Sequence, residues 1–272
     1  MEAFLAYGFL QRALIAGIFI GLACAMLGLF LVLRKDAMVG HGLSHLAFAG
    51  VALGLFLGLP PLAAALGLCV LTALLIMKIK TTAGLHGDTA IGIFSSVGLA
   101  AGILLVSLAR NFNIDLMGYL FGEILAVTQF EVWLSIGLAG GVLAVLLLLY
   151  PKLLYMTFDR ESARAAGVRI QRLDTLLTVL TAVTVVLGMK VVGILLVAAL
   201  LVIPAAGGLQ VARSFRMAMA VSAAAACVSV AAGMVVALEF NIPASAAIVL
   251  IAFAVFMGLL VFGKIRKPRA KV

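Results

Sequence analysis

Long apolar runs, separated by short polar or proline-containing breaks, dominate this chain. Each run is close to the ~20 residues that an α-helix needs to cross roughly 30 Å of hydrocarbon. Pro60 and Pro61 separate the second run from the third, and Pro243 opens the last. The pattern predicts an all-α, polytopic membrane bundle. The predicted spans are 10–33, 37–59, 61–79, 91–109, 131–150, 173–189, 191–209, 215–238 and 243–263.

One segment leaves the number of predicted spans at eight or nine, and another is set aside as a possible tenth. The stretch 173–209 is almost continuously apolar and is interrupted only between Gly188 and Lys190. This interruption predicts a tight external hairpin with Lys190 at the membrane interface, and without it the two runs would form one span. Residues 114–127 are too short and too polar for a further span. They predict a short helix near the outer surface, either re-entrant or lying along it.

The charged residues are few, and their positions are more informative than their number. The 272-residue chain is 66% hydrophobic and 11% charged, with a mean hydropathy of +1.33, which excludes a soluble domain. Its formal charge of +9 comes from basic clusters between apolar runs, which indicates cytoplasmic loops rather than a nucleic-acid surface. The N-terminus is then expected outside and the C-terminus inside. The clusters are Arg34 and Lys35, Lys78 and Lys80, Lys152 to Arg172, Arg213 and Arg216, and Lys264 to Lys271.

Two histidines, His41 and His45, lie four residues apart inside a predicted span and therefore share one helix face. By helical rise from Lys35 they lie roughly 9–15 Å into the membrane, where an ionisable group suggests a function. Paired imidazoles suit a transition metal such as zinc, although two histidines hydrogen-bonded to neighbouring helices would give the same pattern. Gly42 stands where an intramembrane His-Glu-x-x-His protease needs its glutamate, which argues against a hydrolase.

Acidic residues near the predicted outer surface are candidates for a cation pathway. Asp115 and Glu123 lie in the short outer segment, and Glu239 lies at the outer end of a span. Carboxylates at an entrance raise the local cation concentration, although simple exposure at the interface explains the same positions. No Gly-x-x-x-x-Gly-Lys-Ser/Thr loop is present, so we expect ATP hydrolysis to require a separate subunit.

The longest polar segment predicts a short cytoplasmic helix. Asp159 is a good N-cap and Gly167 a good residue for the left-handed position after the helix. Glu161, Ala163 and Arg164 lie between them. Such a helix either docks on a cytoplasmic partner or is held near anionic lipid by its basic residues.

Four stretches resemble the permease subunits of zinc/manganese/iron-type ABC importers, and most closely the zinc permeases. Residues 40–50 resemble the family's helix bearing Asp-x-Leu-x-His, and 114–128 are similar to a segment characteristic of zinc permeases. Residues 159–167 look like the coupling helix, and 189–206 like a late pair of spans. The resemblance extends from about residue 20 to 260.

The resemblance implies a BtuC-like, type II ABC importer permease: one transmembrane domain, 1–272, with its coupling helix in the cytoplasmic loop 152–172. It implies a homodimer in the inner or plasma membrane, two ATPase subunits, an extracytoplasmic metal-binding protein, and zinc as the transported substrate, with no permanently bound cofactor. His45 matches the family's histidine, and His41 takes its acidic position, which by ligand softness favours zinc over manganese. Manganese or iron(II) import, or a siderophore or vitamin B12 permease, are the alternatives.

Overall fold

The computed structural model describes residues 8–82, 87–108, 122 and 127–266, and helices dominate those ranges. Nine of the helices in the described ranges are long and apolar enough to cross a membrane, which confirms the predicted polytopic bundle. The two others, α6 and α7, are short. The helices are α1 Gly8–Leu33, α2 Met38–Leu57, α3 Pro61–Thr82, α4 Gly87–Leu108, α5 Gln129–Leu148, α6 Tyr150–Phe158, α7 Arg160–Ala165, α8 Ile170–Val192, α9 Ile194–Val211, α10 Phe215–Phe240 and α11 Ala244–Arg266.

The break between α8 and α9 lies later than predicted. Gly188 is helical, because it is a packing position: a Cβ there would lie 2.9 Å from Val197 and 3.3 Å from Ile20. The chain instead turns at Gly193, whose φ of 87° and ψ of 155° suit glycine almost exclusively. The predicted hairpin exists, but its turn is one residue long and follows Lys190 by three positions.

The structure revises one other predicted segment and leaves a second one untested. The loop predicted at 152–172 is largely helical, since α6, α7 and the start of α8 lie within it. The outer helix predicted at 114–127 lies outside the described residues, apart from Gly122 and Val127.

Small residues bring the central helices into close contact. Gly17 and Gly21 of α1 face Val230 of α10, and Gly28 lies directly against the backbone carbonyl of Leu201 in α9. Helices associate in lipid through such close packing, because lipid tails provide no hydrophobic driving force between them. α1 is therefore the central helix of the bundle, packed by α5, α9 and α10.

The basic segments meet at one end of the bundle, which we call the basic end. The Phe215 ring, beside Arg216, lies 5.1 Å from the Phe30 ring at the end of α1 and 6.4 Å from the Phe158 ring before α7. Gly263, beside the C-terminal basic cluster, packs against Gln210 at the end of α9. The described residues of the charge clusters predicted to share one side of the membrane therefore share one end of the fold.

A row of threonines follows the length of α8. Thr175, Thr178, Thr181 and Thr184 each donate a hydrogen bond to the backbone carbonyl four residues earlier, at 2.7–2.9 Å. These bonds satisfy the hydroxyl groups inside the helix, so α8 carries polar side chains into the bundle with a contact to another helix, from Thr178 to Met77 Sδ of α3 at 3.5 Å.

Candidate metal centre

His41 and His45 face each other on α2. Their Nε2 atoms are 3.3 Å apart, and their rings are nearly perpendicular at 84°, with centroids 4.7 Å apart. His41 is exposed and His45 is half-buried. The two rings thus bring one nitrogen each within hydrogen-bonding distance of the other.

The packing of α2 determines which face carries the histidines. Gly42 lies against α4, and Gly40 lies against Leu201 of α9. On the side of α3, the Leu43 carbonyl accepts a hydrogen bond from Cys69 Sγ at 3.5 Å. Since three sides of α2 are occupied by neighbouring helices, the histidine face is the side that one chain leaves open.

The open face of α2 is a row of side chains that is exposed near the basic end and becomes buried farther from it. Met38, in the first turn of α2, is 51% exposed, and His41 and His45 follow it along the row. Phe48, the next residue of the row, is only 7% exposed and packs on Gly102 of α4. In a single chain, the two imidazoles are therefore accessible from the basic end and closed off by an aromatic ring on the other side.

The distance between the Nε2 atoms suits two ligands of one tetrahedral ion. With zinc–nitrogen bonds of 2.0–2.1 Å, two nitrogens of a tetrahedral site lie about 3.3–3.4 Å apart. The observed separation is 3.3 Å. Each ring would carry its hydrogen on Nδ1 in that state; without an ion, one Nε2–H donates to the other ring.

One chain supplies two ligands and no more within the described ranges. No group of three or more His, Cys, Asp or Glu suited to a metal occurs among the residues that the structure describes. A structural zinc site is closed by four protein ligands, whereas a site with fewer keeps positions open. As a metal centre, the pair would therefore be an open half-site.

Of the three predicted acidic residues, only Glu239 is described by the structure, and it does not join the histidines. Glu239 is exposed in the last turn of α10, at the end of the bundle opposite the basic end, whereas His41 lies in the first turns of α2. Asp115 and Glu123 lie outside the described residues.

Glu131 is a buried acid that the sequence reasoning missed. It forms a capping box with Thr128 at the start of α5, and its carboxylate pairs with Lys190 Nζ at 2.9 Å. The spacing of Thr128 and Glu131 is the sequence signal for such a box. Lys190 therefore ties the end of α8 to the start of α5.

α7 begins where the sequence predicts. The Asp159 carboxylate accepts a hydrogen bond from the Ser162 backbone N–H at 3.0 Å, and hydrogen bonds from Ser162 lower the pKa of Asp159 below its ordinary value. Glu161 and Arg164 are exposed on this helix, whereas Ala163 is fully buried. α7 thus presents a charged outer surface on an anchored inner face.

α7 also ends as predicted. Gly167 has a φ of +80°, and its N–H donates to the Arg164 carbonyl at 3.0 Å. The Val168 N–H reaches back to the Ala163 carbonyl, also at 3.0 Å, which completes a Schellman motif. With both ends capped, this six-residue helix is a defined structural element.

Five charged residues form a second polar cluster at the basic end, which we call the ion-pair network. Asp36 accepts hydrogen bonds from Lys80 Nζ at 2.7 Å and from Arg34 at 3.3 Å. Asp174 accepts from both Arg34 and Arg160. Burial lowers the pKa of the Arg34 guanidinium, against the opposing effect of Asp174 and Asp36. The sequence reasoning missed this cluster, although an aspartate at 174, inside a predicted span, was a usable signal.

Comparison with known proteins places the chain in a transporter family. The family described as the ABC 3 transport family matches residues 6–263, and the chain belongs to it. The manganese import system permease protein ScaB of Streptococcus gordonii is 36% identical, over 92% of this chain and 90% of that protein. The high-affinity zinc uptake system membrane protein ZnuB of Haemophilus influenzae is 34% identical, over 90% and 94%.

A solved relative confirms the fold. The structure described as PsaBC from Streptococcus pneumoniae in complex with Fab superposes with a TM-score of 0.85 at 32% identity, and the match covers 98% of each chain. The predicted family resemblance and the predicted all-α permease fold are both confirmed.

Proposed function

We propose that this chain is the permease subunit of an ATP-driven divalent-metal importer, with zinc as its substrate. The observation that carries the proposal is the pair of Nε2 atoms 3.3 Å apart on a membrane-spanning helix of this family. Neutral imidazole is a preferred zinc ligand, whereas oxygen ligands suit manganese.

The basic end is the cytoplasmic end under this proposal, by the positive-inside rule. α7 lies at that end with its charged surface exposed and docks on the ATPase subunit. Two permease copies with two ATPase subunits form the importer, in the inner or plasma membrane, and an extracytoplasmic binding protein delivers metal at the opposite end. The N-terminus then lies outside and the C-terminus inside.

The half-site explains how the ion is both held and released. Two imidazoles from each of two copies complete a transient site on a path between them, and the site must be weak because a transported ion has to leave. A membrane potential that is negative inside favours entry of a divalent ion by roughly 4–5 kcal/mol per 100 mV. ATP is then required to open the path and to extract the ion from the binding protein.

Manganese is the second candidate substrate, because the relatives named for manganese and for zinc are similarly close to this chain, at 36% and 34% identity. Iron(II) follows the same logic within the family. The histidine at position 41 is the feature that favours zinc over both, since it supplies nitrogen where the family resemblance places an acid.

The test is uptake of radioactive zinc and manganese by proteoliposomes that contain the complete complex. We expect His41→Ala and His45→Ala to reduce zinc uptake at least about tenfold, since each removes one of two metal ligands per chain. Met38→Ala is the matched control, because Met38 lies on the same row and its thioether is not among the usual zinc ligands. Wild-type zinc uptake in both histidine variants would refute the site. Greater manganese than zinc uptake by the wild type would refute the substrate.

The docking role of α7 has its own test. Arg164→Glu reverses an exposed charge on this helix, and we expect it to reduce co-purification of the ATPase subunit while the permease stays folded. Lys152→Glu, an exposed change outside α7, is the control. Unchanged ATPase binding and transport in Arg164→Glu would contradict the docking assignment.

A further inference from the structure

The ion-pair network connects the helix that docks the ATPase to the helix that carries the histidines. We propose that Asp174 and Asp36 are positioning residues that transmit the movement of α7 to α2, an inference that rests on the proposed function. Each contact in the chain of residues from α7 to α2 is an ion pair or a backbone hydrogen bond between described residues.

The first link joins α7 to α8. Arg160 is the first residue of α7, and its guanidinium binds the Asp174 carboxylate in the first turns of α8. The Arg160 side chain is 51% exposed, whereas that of Asp174 is 9% exposed. The network therefore begins at the surface that meets the partner and continues into the protein.

The second link joins α8 to the turn after α1. The other oxygen of Asp174 accepts from Arg34, whose side chain is only 5% exposed, and Arg34 also binds Asp36. Separating buried opposite charges leaves one of them uncompensated in the protein interior, which is strongly unfavourable. A displacement of α7 that keeps Arg160 in place therefore moves Asp174, Arg34 and Asp36 together.

The third link leads into α2. The Asp36 carbonyl accepts a hydrogen bond from the Val39 N–H, in the first turn of α2, at 3.1 Å. Asp36 lies five residues before His41 in the sequence. Lys35 has a φ of 60°, and the Asp36 N–H donates to the Leu31 carbonyl at 2.9 Å, so the turn is tightly defined. A shift of this turn is therefore a shift of the first turn of the histidine helix.

Two features distinguish a transmitting network from a static clamp. Lys80, at the end of α3, binds the other carboxylate oxygen of Asp36 at 2.7 Å, which in this proposal holds the turn to α3 while α2 moves. Arg34 Nη1 is buried and has no hydrogen-bond partner within the described ranges. This spare donor allows a second arrangement of the same charges, and two discrete arrangements are what coupling between distant sites requires.

The experiment measures ATP hydrolysis and zinc uptake in the same proteoliposomes of the complete complex. For Arg160→Gln and Asp174→Asn, we expect ATP hydrolysis to continue while the zinc transported per ATP falls about tenfold, a typical coupling effect. Arg160→Lys keeps the charge and should restore the ratio. The double variant should be no worse than Asp174→Asn, because both act through one contact. Arg172→Gln, an exposed change in the first turn of α8, is the matched control.

A metal-independent readout separates this inference from the proposed substrate. Met38→Cys places an exposed thiol on the histidine row, and the rate at which a thiol reagent labels it is measured with and without ATP. We expect ATP to change this labelling rate when Met38→Cys is the only substitution. We expect no change when Met38→Cys is combined with Arg160→Gln. An unchanged transport ratio together with an ATP response in Arg160→Gln would overturn the inference. An absence of zinc uptake by the wild type, with the labelling response intact, would overturn only the substrate. Because the Arg160 side chain is half exposed, Arg160→Gln should fold, and it is the decisive variant if Asp174→Asn does not fold.

Discussion

The histidine pair and the ion-pair network lie near the same end of the bundle but differ in how far their polar groups are satisfied. His41 and His45 bring two nitrogens together on a face of α2 that neighbouring helices of the chain leave uncovered. In the network, the carboxylates of Asp36 and Asp174 each hold two cations, largely away from solvent. The first arrangement is incomplete and the second is nearly complete.

This difference corresponds to two tasks. A transported ion must be released, so a site that contributes only two ligands per chain suits passage better than storage. Charges that bind one another in a buried cluster are costly to separate, so they suit the transfer of movement between helices. The comparison predicts that variants of the network act on stability and coupling, and variants of the histidines on transport.

The largest effect on stability should come from Asp174→Asn. It leaves buried Arg34 without one of its two carboxylates, and we expect the free energy of unfolding to fall by about 3–5 kcal/mol. Thermal unfolding of the purified permease in detergent measures this. His45→Ala is the comparison variant, and it should change stability by less than about 1 kcal/mol because its ring is half exposed. Equal unfolding temperatures for the two variants would erase the contrast between the regions.

The next effect concerns metal preference. His41→Asp replaces a nitrogen ligand by a carboxylate, and we expect the ratio of manganese to zinc uptake to rise by roughly tenfold, or about 1.4 kcal/mol. Competition between the two radioactive ions in proteoliposomes measures the ratio. His41→Asn, which keeps a similar size without the charge, is the control. If Asp and Asn have the same effect, ligand charge at position 41 does not set the preference.

A smaller effect is expected from the less buried arm of the network. Lys80→Gln removes one cation from Asp36 but leaves Arg34 in place, and the Lys80 side chain is 22% exposed. We expect the free energy of unfolding to fall by about 1 kcal/mol. The loss should be smaller at high salt, because dissolved ions screen a partly exposed ion pair. Lys152→Gln, an exposed lysine elsewhere at the basic end, should change little. If the loss of stability were as large as that of Asp174→Asn, solvent exposure would not determine how much each ion pair of the network contributes.

The smallest effect is expected at the start of α7, where solvent replaces the lost cap. The lowered pKa of Asp159 means that its charged form stabilises the helix, so the contribution is complete at neutral pH. It is lost as the pH falls through the lowered pKa of the folded state. The protection factor of the Ser162 amide, which compares its exchange with the intrinsic rate at the same pH, should therefore fall in acid and in Asp159→Ala, but not in Glu161→Ala. Equal protection of Ser162 at neutral pH in all three proteins would contradict the cap.

The features that the sequence predicted well depend on local chemistry. Apolar length determines the spans, and Asp159 and Gly167 bracket α7 because cap residues act on their own backbone. The shared face of His41 and His45 follows from helical spacing alone. The short distance between their nitrogens depends on ring orientation, which spacing does not determine.

The features that were missed depend on contacts between distant segments. Arg34 and Asp174 are 140 residues apart, and only the packing of α1 beside α8 joins them. Whether the chain turns at Gly188 or at Gly193 also depends on tertiary packing. Gly188 is small because Val197 and Ile20 pack against it, and a packing glycine and a turning glycine are identical in sequence.

The threonine row of α8 gives this helix a mechanical character. Hydroxyls that share a carbonyl with the helical N–H weaken the backbone bonds they accompany and favour bending. Both ends of α8 are anchored, by Asp174 at the basic end and by Lys190, bound to Glu131, at the other. A helix that is anchored at both ends and has weakened backbone hydrogen bonds between them can bend elastically. It curves when one anchored end is displaced and straightens again when that end returns.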